Sequence, residues 1–314
     1  MIKIESIFKY FTEDRIDLLQ NGLIRFSPPK EFNDPFETFP NFKSMAPHQD
    51  IDEFFESFDS EPGYYEGILE DCLANDPRFQ QLPDPYKNLM AGIAERRLEA
   101  IRPEMSKQIK VFGSSAMKFQ SKSKILMVET ILKAFNLSFA ILCLTEKRDN
   151  LLMWAHYANS HKGFVLEFFP NHSFFDQNDK PTIAGHLRKV RYTLERPKFI
   201  FFDDNLPKDH VTKNWVDNLI WVKSKHWAYE EEWRILSTLN RCEKTITNGE
   251  NEIHLFTLPL DAIKSIYLGC RMNDERKNEF ISLIGKQEAL KHIKMFQAVP
   301  DEKEYKLQFL EIEV

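Results

Sequence analysis

Apolar and polar positions along the chain fall into three regimes: strand-like runs at the start, a long helical block, and strand-like runs again to the end. IFKYF (7–11) reads as a short aromatic strand. TEDRIDLLQNG (12–22) reads as a helix with Thr12 as N-cap, Ile16 and Leu19 on one face and Gly22 as C-cap. LIRFS (23–27) predicts a second strand, stopped by Pro28 and Pro29. Residues 45–135 carry apolar side chains at three- and four-residue spacing, which predicts a helical insertion inside a single domain spanning 1–314. LSFAILCLT (137–145) is a continuous apolar run, the mark of a strand buried on both faces. LLMWAHYANSHKG (151–163) predicts a short helix capped by Asp149 or Asn150 and ended by Gly163. Further strands are expected at FVLEFF, LRKVRYT, FIFF, WRILSTL, EIHLFTL, IKSIYLG and KLQFLEIEV, and helices over 211–228 and 273–287. The sum is an α+β fold: a single mixed, mostly antiparallel sheet with flanking helices.

Composition narrows this picture. Hydrophobic residues make up 42% and charged residues 29%, as in a soluble globular protein. Many of the 27 phenylalanines fall in the strand-like runs (Phe164, Phe168, Phe199), so their first reading is core. A net charge of −6 argues against nucleic acid held by bulk electrostatics. No apolar run approaches the roughly 20 residues a membrane span needs, and MIKIESIFKYF alternates unlike a signal peptide. Cys72, Cys143, Cys242 and Cys270 are scattered with no CxxC pair, so neither a zinc ribbon nor a disulfide framework is signalled, and a cytoplasmic location is expected.

Three stretches can carry chemistry. In NDPFE, Asn33 and Asp34 precede a proline and form a turn; Phe32 and Phe36 are expected to pin it to the core, leaving Asn33, Asp34 and Glu37 for a pocket rim. A purely structural turn is the competing reading. In MWAHYANSHKG, His156 and Tyr157 are helix neighbours beside Trp154, a set able to stack on and hydrogen-bond a planar ring, or simply to pack. His161 lies past the helix end, where the dipole favours a cation. The spacing of His156 and His161 is not that of a helical zinc pair, so no metal is assigned. In YEEEWRIL, a strand starting near Glu230 puts Glu230, Glu232 and Arg234 on one face and Glu231, Trp233 and Ile235 on the other. Two carboxylates beside a guanidinium can split their protonation states for acid–base work, or be tied down structurally.

In this order, KYF, LIRFSPPKEFNDPFE, LTEKRDNLLMWAHYANSHKGFVLEF, VRY, KSKHWAYEEEWRIL and IYLGCRM resemble one bacterial family, domain of unknown function 2971. At the level of fold, the order of elements is also similar to ADP-ribosyltransferases. That resemblance implies Glu232, with Glu230 before it, as the late catalytic glutamate. It implies Lys9 or Tyr10 at the first-strand position that grips NAD, and Tyr157 as the middle aromatic. The expected activity is a transferase or hydrolase acting on NAD or a related nucleotide. Glu232, Glu230, His156 and Tyr157 would be catalytic; Tyr10, Lys9, Asn33, Asp34, Trp154, His161 and Arg234 would bind ligand. NAD would be a substrate rather than a resident cofactor, and such an activity suits a toxin or phage-defence effector. Two alternatives stay open: a non-catalytic module binding a ligand or protein partner, and a metal-dependent nuclease using Asp34, Glu37, Glu230 and Glu232.

Overall fold

The computed structural model describes residues 4–37, 41–44, 77–93, 96, 129–130, 132–176, 184–200, 216–249 and 251–313. Most of the block read as a helical insertion lies outside these residues, as does Cys72; the described parts at Pro77–Gln80, 84–93 and 132–138 are helical.

The strands in chain order are β1 (Ile7–Phe11), β2 (Leu23–Phe26), β3 (Asn41–Ser44), β4 (Phe139–Thr145), β5 (Phe164–Phe168), β6 (Arg188–Lys189), β7 (Arg191–Thr193) and β8 (Lys198–Ile200). They continue with β9 (Val222–Ser224), β10 (Glu232–Thr238), β11 (Lys244–Asn248), β12 (Asn251–Thr257), β13 (Ile263–Leu268), β14 (Lys294–Pro300) and β15 (Leu307–Ile312). The main sheet runs β15-β14-β13-β5-β1-β4-β10-β6. Only the β13–β14 pair within it is parallel, so the sheet is mixed and mostly antiparallel. A three-stranded sheet, β11-β12-β2, meets it where Ser27 bridges Ile141.

Both faces of the sheet are covered, which explains the unbroken apolar runs of β4 and β5. One face packs Ile7, Phe11, Leu142, Leu144, Phe164, Trp233 and Ile235 with Leu18 and Leu19 of α1 (Asp17–Asn21). Phe280 and Ile284, from the helix Asp274–Lys286 near the C-terminus, join the same cluster. The other face sets Phe8, Tyr10, Val165 and Tyr267 against Met153, Trp154 and Ala158 of α2 (Leu151–Tyr157) and the residue after it. Each such large side chain contributes about 1.5–3 kcal/mol by leaving water. Asn150 caps α2, accepting from the Leu152 and Met153 amides, while its own amide donates to the Tyr229 carbonyl. Among the described residues, no helix is long and apolar enough to cross a membrane.

Two sequence expectations change. A helix over 211–228 gives way to helix at 216–220, strand β9, and a 3-10 segment at Lys225–Glu230. Pairing with β7 and burial of β9 override its helical periodicity. LRKVRYT divides at Val190 into β6, beside β10, and β7, beside β9. β11 and β14 carry no clear two-residue alternation and escape a pattern search. Gly163 also has a role beyond ending a helix that already stops at Tyr157. A Cβ there would stand 2.0 Å from the Phe11 carbonyl oxygen.

Because the Phe11 carbonyl belongs to a central strand and cannot rotate away, Gly163→Ala is expected to lower stability by about 1–3 kcal/mol or more. Urea unfolding measures this, and an unchanged midpoint would contradict the close approach.

Candidate functional site

Strands β1 and β4 share a single bridge, Phe8 opposite Thr145. Beyond it β4 leaves β1 and turns to Ser27, whose backbone exchanges two 2.9 Å hydrogen bonds with Ile141. The wedge between the diverging strands opens as a cavity of about 260 Å³. β1 contributes Lys9 and Tyr10 to its wall, β4 contributes Cys143 and Thr145, and β10 contributes Glu232 and Arg234. Tyr157 and Met153 of α2 and Phe32, Asn33 and Glu37 of the NDPFE turn complete it, with Lys223 and Glu230 at its base.

The base is an ion cluster buried almost completely. Lys223 Nζ lies 2.6 Å from Glu230 Oε2, 3.0 Å from Glu232 Oε2 and 3.6 Å from Glu37 Oε2. Arg234 donates from Nε to Glu232 Oε1 at 2.7 Å and from Nη2 to Glu232 Oε2 at 2.9 Å. It also donates to Glu37 and to the Ile220 carbonyl. The Tyr157 hydroxyl donates to Glu230 Oε1 at 2.6 Å and receives the Asn33 amide at 3.2 Å. Tyr192 accepts the Glu232 N–H, and Thr145 Oγ1 donates to the Glu230 carbonyl.

Three carboxylates (Glu37, Glu230, Glu232) contact two cations (Lys223, Arg234) in a water-poor site, so within these direct contacts the acids outnumber the bases by one. Such an excess favours uptake of a proton. Accordingly, burial and the neighbouring Glu230 raise the Glu232 carboxyl, against the pull of Lys223. Burial opposes the Lys223 charge, yet Glu232 and Glu230 outweigh it and hold the ammonium above the usual lysine range. Burial lowers Arg234 to about 9, which still leaves it a cation at neutral pH. Burial and Glu230 keep Tyr157 protonated and donating. The arrangement can hold, release and pass one proton beside a ligand-sized hollow.

A backbone kink makes this possible. Glu230 ends the 3-10 segment, and β10 starts at Glu232 rather than near Glu230. Glu231 between them adopts φ +42°, in the left-handed region. The turn sends Glu230 and Glu232 inward, while Glu231 reaches outward to Lys147 at 3.4 Å.

The remaining candidates scatter. Successive helix positions differ by about 100°, so with Met153 and Tyr157 facing the cavity and Trp154 the core, His156 is exposed and stands away from the site. Trp154 is fully buried, donates Nε1–H to the Arg148 carbonyl and meets Tyr10 edge-on, so it packs the wall from behind. His161 stacks on Trp154 outside the cavity; burial and Arg271 depress its pKa, opposite to the cation expected from the helix end. Tyr10 donates to the Lys147 carbonyl. Asp34 is buried and accepts the Phe36 N–H, the structural form of the turn. Phe36 does not pin that turn: it is 61% exposed, with Arg196 over its ring, and Glu37 is the side chain that anchors it, through Arg234. For a metal centre, the oxygens of Glu37, Glu230 and Glu232 already take Lys223, Arg234 and Tyr157 as partners. Among the described residues no group of three or more His, Cys, Asp or Glu is placed to hold a metal ion.

Lys223, Thr145, Cys143 and Tyr192 were not singled out from the sequence. The one available signal for Lys223 was the acid excess of YEEEW, which needs a nearby cation if it is buried.

Residues 153–235 match the family model described as Protein of unknown function (DUF2971), a segment that holds Tyr157, Lys223, Glu230, Glu232 and Arg234. No curated protein and no solved structure matches the chain.

Removing the hub strands buried charge. Lys223→Met is expected to cost about 3–5 kcal/mol, and adding Glu230→Gln to recover part of that loss; chemical unfolding of the single and double variants measures both. At Glu231, glycine should be more stable than valine by about 1–2 kcal/mol, since only glycine enters the left-handed region freely. Equal melting of the two would refute the kink.

Proposed function

Starting from a chain whose residues 153–235 match the DUF2971 model, we propose that the protein is an enzyme acting on NAD or a related nucleotide, in a cytoplasmic setting. The reaction would be transfer or hydrolysis at the sugar carbon that bears the base. The observation that carries this reading is the convergence of Glu230, Glu232, Tyr157 and Asn33 on one cavity, above a shared ammonium. As a glycosidic bond breaks, positive charge grows on the sugar carbon, and an ionised carboxylate of this pair supplies the opposing charge in a water-poor site. Glu230, held by Tyr157 and Lys223, accepts the proton of the incoming hydroxyl. Asn33, whose amide donates to the Tyr157 hydroxyl, lines the same cavity and would offer its carboxamide oxygen to the ligand. The cavity, about 260 Å³, lies just under the roughly 300–1,000 Å³ of pockets that enclose whole ligands. It suits one ring with part of its sugar, the rest of the nucleotide lying outside. The order of elements read from the sequence resembles that of ADP-ribosyltransferases, and such an activity would serve a toxin or phage-defence effector.

A second reading has its own support. Both acids are so fully ion-paired that the cluster could serve to shape a binding pocket without chemistry.

Incubating the purified protein with NAD and following nicotinamide by chromatography separates the two. Release is expected, and Glu232→Gln should reduce it by about a hundredfold or more with native circular dichroism. Ligand binding without turnover, surviving Glu232→Gln within about 1–2 kcal/mol, would instead establish the binding module.

A further inference from the structure

Lys9 lines the cavity, but neither reading above gives it any chemistry. It is placed unlike the other two cations there. Lys223 touches three carboxylates and Arg234 two. Among the described residues no carboxylate lies within ion-pair distance of Lys9, whose Nζ donates to the Cys143 carbonyl at 2.9 Å. That carbonyl sits where β4 has parted from β1, so the lysine spans the wedge itself. Ile7 and Phe11, two positions either side on β1, belong to the apolar core, and the ammonium sits 5.7 Å from the Phe11 ring centre.

We propose that Lys9 is an amine nucleophile that captures small aldehydes or ketones, such as an open-chain sugar carbonyl, as an imine. Its hydrogen bond to the Cys143 carbonyl is one that a neutral amine can also donate, and such an amine keeps its lone pair for attack. Burial lowers the Lys9 pKa, only partly opposed by Cys143 and Glu232, and thereby enlarges the neutral fraction. The nitrogen lone pair forms a bond to the carbonyl carbon while the C=O π pair moves to oxygen. The oxygen gains a proton and the nitrogen loses one, giving a carbinolamine. Its hydroxyl departs as water with a proton from the cavity, where Glu232 is the acid raised by burial and Glu230, and the protonated imine remains. No oxidant or reductant is consumed. This inference does not rest on nucleotide turnover: labelling of Lys9 and nicotinamide release can each fail alone.

The test treats the purified full chain at neutral pH with limiting glycolaldehyde and sodium cyanoborohydride, followed by digestion and mass spectrometry. The reduced adduct is expected at Lys9 severalfold faster than at the exposed Lys286 and Lys303. Unfolding in urea should abolish the preference, and Lys9→Arg with native circular dichroism should yield no adduct at that position. Labelling of Lys9 no faster than of Lys286 and Lys303, or a preference that persists in urea, overturns the proposal.

Discussion

Removing charges from water is the cost around which this structure is arranged. Glu37, Glu230, Glu232, Lys223 and Arg234 are all nearly or wholly inaccessible, and none could stay ionised there alone. Their mutual contacts tie together four parts of the chain: the turn after β2, strand β9, the 3-10 segment and strand β10. An apolar set of similar shape would hold the same segments together at no desolvation cost. Retaining charge at the bottom of a hollow is therefore more telling than the number of ion pairs.

The hollow has an equally local cause. Two neighbouring strands of a continuous sheet would leave no space between them, but β4 joins β1 at one residue and then follows β2. The parting leaves the Cys143 carbonyl for the Lys9 side chain and exposes the cavity-facing side of β4, from Ile141 to Thr145. Helix α2 closes one side because Asn150 pins its start to Tyr229, which delivers Tyr157 to Glu230. A kinked residue, Glu231, then aims the two acids at the same ammonium.

Periodicity and composition determined much of this protein unaided. The apolar run of β4, the alternation of β1 and β10, the cap at Asn150 and the left-handed Gly22 follow from side-chain spacing and backbone preference, which act within a few residues. The shared face of Glu232 and Arg234 follows in the same way. Tertiary structure alone decided the rest. It made Lys223 a buried strand residue rather than a solvated helical one, brought Glu37 to a guanidinium 197 positions away, and turned His156 outward while Tyr157 faced in. Those outcomes depend on which distant carboxylate needs a cation and which strand leaves its neighbour, and such pairings are set by burial energy across the whole fold rather than by any local pattern.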